Sequence, residues 1–556
     1  MSMHEPLLGD YPIPEETVRI ARQVFPKGNV YMQLRDHFGM LYDNADFAHL
    51  FAREGQPALA PARLALVTVM QYMEGLSDRQ AAEYVRDRIS WKYALGLSLE
   101  DSGFDFSVLS EFRSRLLTSD AERLLFDTVL SLFREAGLLK ARGKQRSDST
   151  IVLGAVRLLH RLENVGETLR HALNELAHLA PAWLRQVADP TWVERYGHRV
   201  EQYRLPKAEA QRQALAVTIG EDGYQLLTAC WRPEAPIAVR SHPAVEILRR
   251  VWVQQYYRCD EPEPPLVQLR PPSEQPPSAQ IISSPYDPDA RYSTKRETSW
   301  LGYKLHLTET CDDETPNLIT HIATTPAPQA DCTMTAVIQE ALAAKELLPQ
   351  EHYLDRGYVD AEIIVQSARE HQIEVVGPVI TDPAWQAHTP GGLSLAQFVL
   401  DWDAQQAICP QGISSQSWSP ARDRHGNEMI VIHFPRPACR ACDERANCTK
   451  AKHGARTLSV RPRAHHEAIQ ITRSHQQTGA FRNKYRRRAG VEGSFSQADR
   501  RCEVRHARYL GLAKVWLQHL ITAIALNLFR ALAWLAEVPR AQTRTSAFAK
   551  LMGQML

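Results

Sequence analysis

The chain has 556 residues, 44% hydrophobic and 23% charged, with 65 Lys/Arg against 64 Asp/Glu. This composition excludes a wholly disordered or collagen-like chain, and at roughly 150 residues per domain the length predicts three or four domains with a core that needs no disulfides. The near-zero net charge says nothing about a partner, but its distribution does. Arg436 to Arg508 holds 18 Lys/Arg and 6 Asp/Glu, a net of +12 in an otherwise acidic protein. Such a segment is the footprint of a polyanion partner, or else a solvated basic face.

The opening MSMHEPLLGDYPIPEE is acidic and broken by prolines, without the basic-then-apolar order of a secretory signal. Residues 15–140 read as a helical domain. Pro61 to Met73 is periodically apolar, and Ser77 with Gln80 forms a capping box for the next helix. A short helix from Trp91 ends near Gly96, and Phe104 to Ser107 leads into an amphipathic helix carrying Val108, Leu109, Phe112, Leu116 and Leu117. Its predicted outer face holds Glu111, Arg113, Ser114 and Arg115. Short helices with tight connections suit a helix-turn-helix module that reads DNA with its last helix, Arg113 and Arg115 touching the backbone, or a plain bundle.

Lys144 to Leu153 reads as a strand with Asp148 near its middle. From Ala155 to Tyr257 the pattern is helical, with Leu158, Leu159, Leu162, Val165 and Leu169 at helical spacing and Pro181 breaking the first long helix. Nine prolines between Glu261 and Pro288 predict an extended linker without a core of its own. From Trp300 strands and helices alternate: a hairpin of Leu301–Thr308 and Leu318–Thr324, a helix over Thr333–Leu347, a short strand His352–Leu354 ending at Asp355, a turn at Gly357, a helix over Val359–His371 and a strand Ile373–Val376. This is an α/β sheet with an active edge where strands end. Residues 395–435 alternate in short strands, with a turn at His425-Gly426-Asn427, and the chain from Phe481 is helical, first basic and then apolar. Gln518, His519, Asn527 and Arg530 interrupt the apolar run Val515–Ala536, which therefore reads as a buried or amphipathic helix and not a membrane span. Nine cysteines without an export signal favour free thiols and metal ligands in the cytoplasm.

Three carboxylates stand out by context. Asp148 sits in a strand, Asp355 at a strand end, and Glu492 among basic residues at a helix start. Converging carboxylates are hard oxygen donors that hold Mg²⁺, and two ions about 3.5–4 Å apart clamp the attacking and leaving oxygens of a phosphoryl displacement. The plainer alternative for each is a cap or an ion pair. Arg488 and Glu492 are i,i+4 neighbours, on one face if the helix is continuous. Cys409, with Cys439-x2-Cys442-x5-Cys448, offers four thiolates for a structural zinc, with unligated thiols as the alternative. His306 sits in a strand where it either approaches the site or is simply packed.

Several segments together resemble the DDE transposases of bacterial insertion sequences, closest to the insertion-sequence family numbered eleven-eighty-two. They are GLSDRQAAEYVRDRISWKYALGLSL, DSTIVLGAVRLLHRLENVGETLR from Asp148, SPYDPDARYSTKRETSWLGYKLHLTETCDD from Ser284, DRGYVDAE from Asp355, WDAQQAICPQG from Trp402, CRACDERANCT from Cys439 and YRRRAGVEGSFSQ from Tyr485. The resemblance spans nearly the whole chain. It implies an RNase H-like α/β catalytic core with large insertions, over 141–154, 284–395 and 480–536. A helical insertion (155–283) and a β-rich, cysteine-bearing insertion (396–479) would interrupt it, with DNA-end contact or dimer contact as their roles.

The resemblance further implies that Asp148, Asp355 and Glu492 form the catalytic triad holding Mg²⁺ or Mn²⁺. Tyr485 and Arg488 would contact DNA phosphates in a Tyr-x2-Arg-x3-Glu signature. Seven positions after Glu492, where the related signature carries Lys, stands Asp499, with Arg500 beside it. Arg486, Arg487, Arg500 and Arg501, extended by Arg482, Lys484 and Arg505, would continue the phosphate track and make binding salt-sensitive. Double-stranded DNA, as terminal repeats and target, is the implied partner, and a homodimer or larger assembly the implied state. A metal-dependent nuclease and a catalytically inactive DNA-binding regulator are the alternatives. No Walker A loop, HExxH or GxSxG elbow appears.

Overall fold

The computed structural model describes residues 11–553 except 53, 56–57, 260–265, 425 and 541–546. His425 of the expected turn, residues 261–265 of the proline-rich stretch and residues 1–10 of the opening segment lie outside the described residues.

Strand β1, Lys144–Leu153, sits inside a six-stranded mixed sheet with β2 (Arg291–Lys295), β3 (Thr298–Thr310), β4 (Ile319–Pro326), β5 (Glu351–Leu354) and β6 (Glu374–Val376). The order is β2-β3-β1-β5-β6, and β4 also pairs with β3. β1 runs antiparallel to β3 and parallel to β5, and β5 runs parallel to β6. Helices Met334–Ala344 and Ala361–His371 supply the crossovers that parallel neighbours require. The expected hairpin is present as β3 and β4, and β2 is an additional strand on the same edge.

The long helix Leu512–Leu535 packs against β4. The polar residues that interrupt its apolar run are its attachment points. Asn527 donates to the Ile319 carbonyl (2.8 Å) and accepts from the Ile319 amide (2.7 Å). His519 Nδ1 meets Thr324 Oγ1 at 2.6 Å, and Gln518 bonds the Arg508 amide and the His506 carbonyl, both at 2.8 Å. Among the described residues this is the one helix long and apolar enough to cross a membrane, and most of it is buried within the fold.

Helices Pro61–Glu74 and Glu122–Glu135 pack on the other side of Leu512–Leu535, so the N-terminal helices and the sheet share one hydrophobic core. The Ser77–Gln80 capping box forms as expected, and Gly96 closes Ile89–Leu95 in the left-handed region. Helix Ser107–Thr118 differs from expectation at Arg113. This side chain is 7% exposed and pairs with Asp78 at 2.5 Å, with its guanidinium over the Tyr509 ring. It is therefore not on the outer face, which carries Ser110, Glu111 and Ser114. Arg115 is half-buried against Phe51.

A second core is formed by Arg161–Leu179, Glu209–Cys230 and Pro243–Gln255. Leu158 and Leu159 precede the first of these helices, which begins only at Arg161. The proline-rich stretch is not a free linker. Its strand Leu266–Leu269 pairs with Tyr256–Cys259, and Val267 and Ile282 are buried in this helical core.

Burial pushes His306 down to about 4, and His321, His352 and His519 down to about 3, so all four are neutral in the folded state near pH 7. The unfolded chain protonates each near 6.5, so it binds more protons at pH below about 6.5, and stability present above that value is lost as pH falls toward 3–4, at up to about 1.4 kcal/mol per pH unit per histidine. Calorimetry is expected to show Tm falling steadily from about pH 6.5 downward; a flat profile between about pH 7 and 4 would contradict this burial.

Candidate active site

The parallel register of β1 and β5 pairs Ser147 with Leu354. Asp148 is the next residue of β1 and Asp355 directly follows the end of β5, so the pairing itself brings the two carboxylates close together. Glu492 arrives from helix Gly490–Cys502, which follows helix Gly479–Tyr485 and a 3₁₀ turn over Arg486–Ala489.

All three carboxylates converge on Arg488. Its guanidinium bonds Asp148 Oδ2 directly, lies 3.8 Å from Asp355 Oδ2 and is 3.5 Å from Glu492 Oε1. Exposure is graded across the three side chains, 12% for Asp148, 43% for Asp355 and 71% for Glu492. Burial pushes the Asp148 carboxyl up to about 6, against the pull of Arg488. Arg488 Nε is buried without a partner. Tyr485 stacks on Phe481 with ring centroids 5.7 Å apart, and burial pushes its hydroxyl up to about 12.

A buried charge network holds the helix that carries Glu492. Glu309 of β3, fully buried, accepts from Arg146 Nε of β1 at 2.7 Å, from Arg530 at 2.7 Å and from Ser494 Oγ at 2.6 Å. Arg146 also donates to the Arg487 carbonyl at 2.7 Å. Gly490 makes room for this arginine, because a Cβ there would run into the guanidinium. Burial alone would raise Glu309, but Arg530 and Arg146 hold it below its ordinary value.

On the other side of Asp148, Ser149 donates to Asp331 at 3.3 Å, and Lys304 pairs with the same carboxylate at 3.0 Å. His306 is packed between Tyr358 (2.6 Å) and Thr325 (3.1 Å) and is fully buried. Sequence reasoning did not single out Glu309, Arg146, Asp331 or Lys304, and noted Arg530 only as an interruption of the last apolar run. The one local signal was a charged residue, Glu309, in the apolar alternation of β3.

The expected phosphate track is only partly available. Arg482, Arg486, Arg500 and Arg501 are exposed. Arg487 is instead clamped to Asp313 (2.6 Å), Lys484 to Glu374 (2.8 Å) and Glu351 (3.3 Å), and Arg505 lies 3.9 Å from Asp499.

The donor set of Asp148, Asp355 and Glu492 fits a divalent cation chemically, being hard oxygen throughout. Arg488 stands among these groups, and no three His, Cys, Asp or Glu among the described residues are gathered closely enough to hold a metal. The fit therefore requires Arg488 to withdraw, and its unpartnered Nε means the protein alone does not satisfy it there.

Residues 408–532 match the family model described as Transposase DDE domain, and residues 19–115 match the Transposase domain (DUF772). Both matches support a transposase function. The first includes Arg488, Glu492 and the four late cysteines, whereas neither reaches Asp148 or Asp355, so their link to Glu492 rests on geometry. No curated protein and no solved structure matches the chain.

Replacing Glu309 with Gln leaves Arg146 and Arg530 buried without their charge partner, a loss expected to cost about 3–5 kcal/mol. Asp313→Asn removes a pair whose carboxylate is 75% exposed and is expected to cost less than about 1 kcal/mol. Urea unfolding of the two variants checks the contrast, and equal midpoints would refute it.

Proposed function

We propose that this protein is a DNA transposase of the insertion-sequence DDE type, allied to the family numbered eleven-eighty-two, with Asp148, Asp355 and Glu492 as its catalytic triad. The observation that carries the reading is the convergence of these three carboxylates, from three distant segments, on one arginine. The strand order supports an RNase H-like core, with three antiparallel neighbours (β4, β3, β1) followed by two parallel ones (β5, β6).

Asp148, Asp355 and Glu492 would hold Mg²⁺ or Mn²⁺, which would supply Lewis-acid activation for a phosphodiester displacement. The chain's own residues do the rest. Asp148, the most buried of the three, and Asp355 form the floor, and Glu492 closes the site with an exposed side chain on a packed helix. Arg488 leaves the carboxylates for a DNA phosphate, exchanging one anionic partner for another. The Tyr485 hydroxyl, kept protonated at neutral pH, donates to a neighbouring phosphate. Arg482, Arg486, Arg500 and Arg501 hold the backbone of the element end. In cleavage, water attacks the phosphodiester at the element end and expels its 3′-oxygen as a free 3′-hydroxyl; that hydroxyl then attacks a target phosphodiester and expels the target's own 3′-oxygen.

In this reading the helices of 15–140 and the two insertions contribute end recognition and pairing of two element ends in a dimer or larger assembly, acting on the nucleoid in the cytoplasm. Arg113 is set aside as a DNA contact, because reaching a phosphate would break its buried pair with Asp78.

Purified protein with labelled element ends, Mg²⁺ and a supercoiled target tests the reading. Joined product is expected, reduced at least about 100-fold in Glu492→Ala and Asp148→Asn through loss of charge stabilisation at the reacting phosphate. Cleavage without joining would move the assignment to a nuclease, and end binding without cleavage to a regulator. In the same system Arg486→Ala is expected to lower the slope of log K against log salt by about one while leaving sequence preference intact. An unchanged slope would remove Arg486 from the phosphate track.

A further inference from the structure

The segment Phe398–Val460 builds its own small unit. A hairpin of Val399–Asp401 and Gln406–Ile408 lies beside an antiparallel sheet of Ser417–Arg422, Glu428–His433 and Thr457–Val460. Its buried apolar core is Phe398, Ala407, Ile432, Phe434, Leu458 and Val460, separate from the main core. So few buried side chains are characteristic of units that need a cross-link or a metal to hold their fold.

Cys409, Cys439, Cys442 and Cys448 line one cavity of about 30 Å³ within this unit. No disulfide joins them. Two tight loops present the thiols. Cys409 opens a turn in which the Gly412 amide donates to its carbonyl (2.8 Å) and its own amide donates to Ile413 (2.9 Å), with Gly412 at φ +76°. Cys439 and Cys442 flank the end of helix Arg436–Arg440, and Cys448 ends helix Arg445–Cys448. Two arginines at the cavity tie the second loop together. Arg445 donates to the carbonyls of Cys439 (3.1 Å) and Ala451 (2.7 Å), and Arg456 donates to that of Cys448 (2.9 Å).

We propose that Cys409, Cys439, Cys442 and Cys448 form a four-thiolate structural zinc site that staples the two loops of this unit. The cavity that the four thiols line together with apolar residues such as Phe398, Ile413 and Phe434 has the volume of a single small occupant. Zinc takes four sulfurs at about 2.3 Å in a tetrahedron, and a Cys-x2-Cys pair is one usual half of such a site. The thiols stand wider than that as placed, so binding draws the loops inward onto the cavity. Four thiolates on Zn²⁺ leave two negative charges, which the Arg445 and Arg456 guanidiniums offset. The four thiol protons are released on binding. The site serves the fold of this unit and does not depend on the transposase reading.

The test is metal analysis of the full-length protein purified under reducing conditions from zinc-replete medium. One zinc per chain is expected, retained in Glu492→Gln and in Cys332→Ser and lost in Cys442→Ser. Retention in Glu492→Gln separates this site from any metal at the triad. Replacement by Co²⁺ in the unaltered protein is expected to give thiolate-to-cobalt charge-transfer absorption with tetrahedral visible bands, which decides the matter even if Cys442→Ser does not fold. A zinc-free protein whose four thiols react freely in the native state would overturn the proposal. So would zinc retained in Cys442→Ser, or a disulfide among the four. No arm reads transposition, so failure of the transposase assignment would leave the result intact.

Discussion

Glu309 is a full charge placed where water does not reach, and much of the sheet-bearing half of the protein is arranged to satisfy it. Its partners come from three further elements: Arg146 from β1, Ser494 from the helix that carries Glu492, and Arg530 from the long C-terminal helix. An unpaired carboxylate in this position would be strongly destabilising, so these elements have one low-energy arrangement with respect to one another. Arg146 extends the constraint to the Arg487 carbonyl, next to the arginine on which the three carboxylates converge. The orientation of Glu492 over the strand ends is thus a consequence of charge satisfaction beneath it.

Above that layer the same rule acts with the opposite outcome. Asp148, Asp355 and Glu492 would repel one another if ionised together without a cation, and Arg488 is the cation present. The buried pairing under the sheet is saturated, whereas Arg488 keeps an unpartnered Nε and faces two carboxylates open to solvent. One arginine set is fully paired within the fold, whereas in the proposed function Arg488 would be the exchangeable one, a distinction set by solvent access and not by residue type.

Leu512–Leu535 joins the sheet to the N-terminal helices. Helices from both ends of the chain pack on it, and the Cys502 thiol donates to the Tyr72 carbonyl at 3.3 Å, placing the helix of Glu492 against Pro61–Glu74. The helical and cysteine-bearing units have separate small cores, so they can differ in stability from this shared one.

What the sequence determined by itself is local. The periodicity of Pro61 to Met73, the Ser77–Gln80 box, the strand around Asp148, the strand ending at Asp355 and the i,i+4 relation of Arg488 to Glu492 all depend on neighbours within a few residues, and all are present. Periodicity could not show that Arg113 faces inward, because the reason is Tyr509 at the far end of the chain together with Asp78 on another helix. Nor could it show that Lys484 and Arg487 are occupied by Glu374 and Asp313. The proline-rich stretch looked coreless because its few apolar residues, Val267 and Ile282, are buried by helices before it. Tertiary structure alone decided which charges meet and which strands pair. Those choices are made by burial and charge satisfaction between segments hundreds of residues apart, where spacing along the chain carries no information.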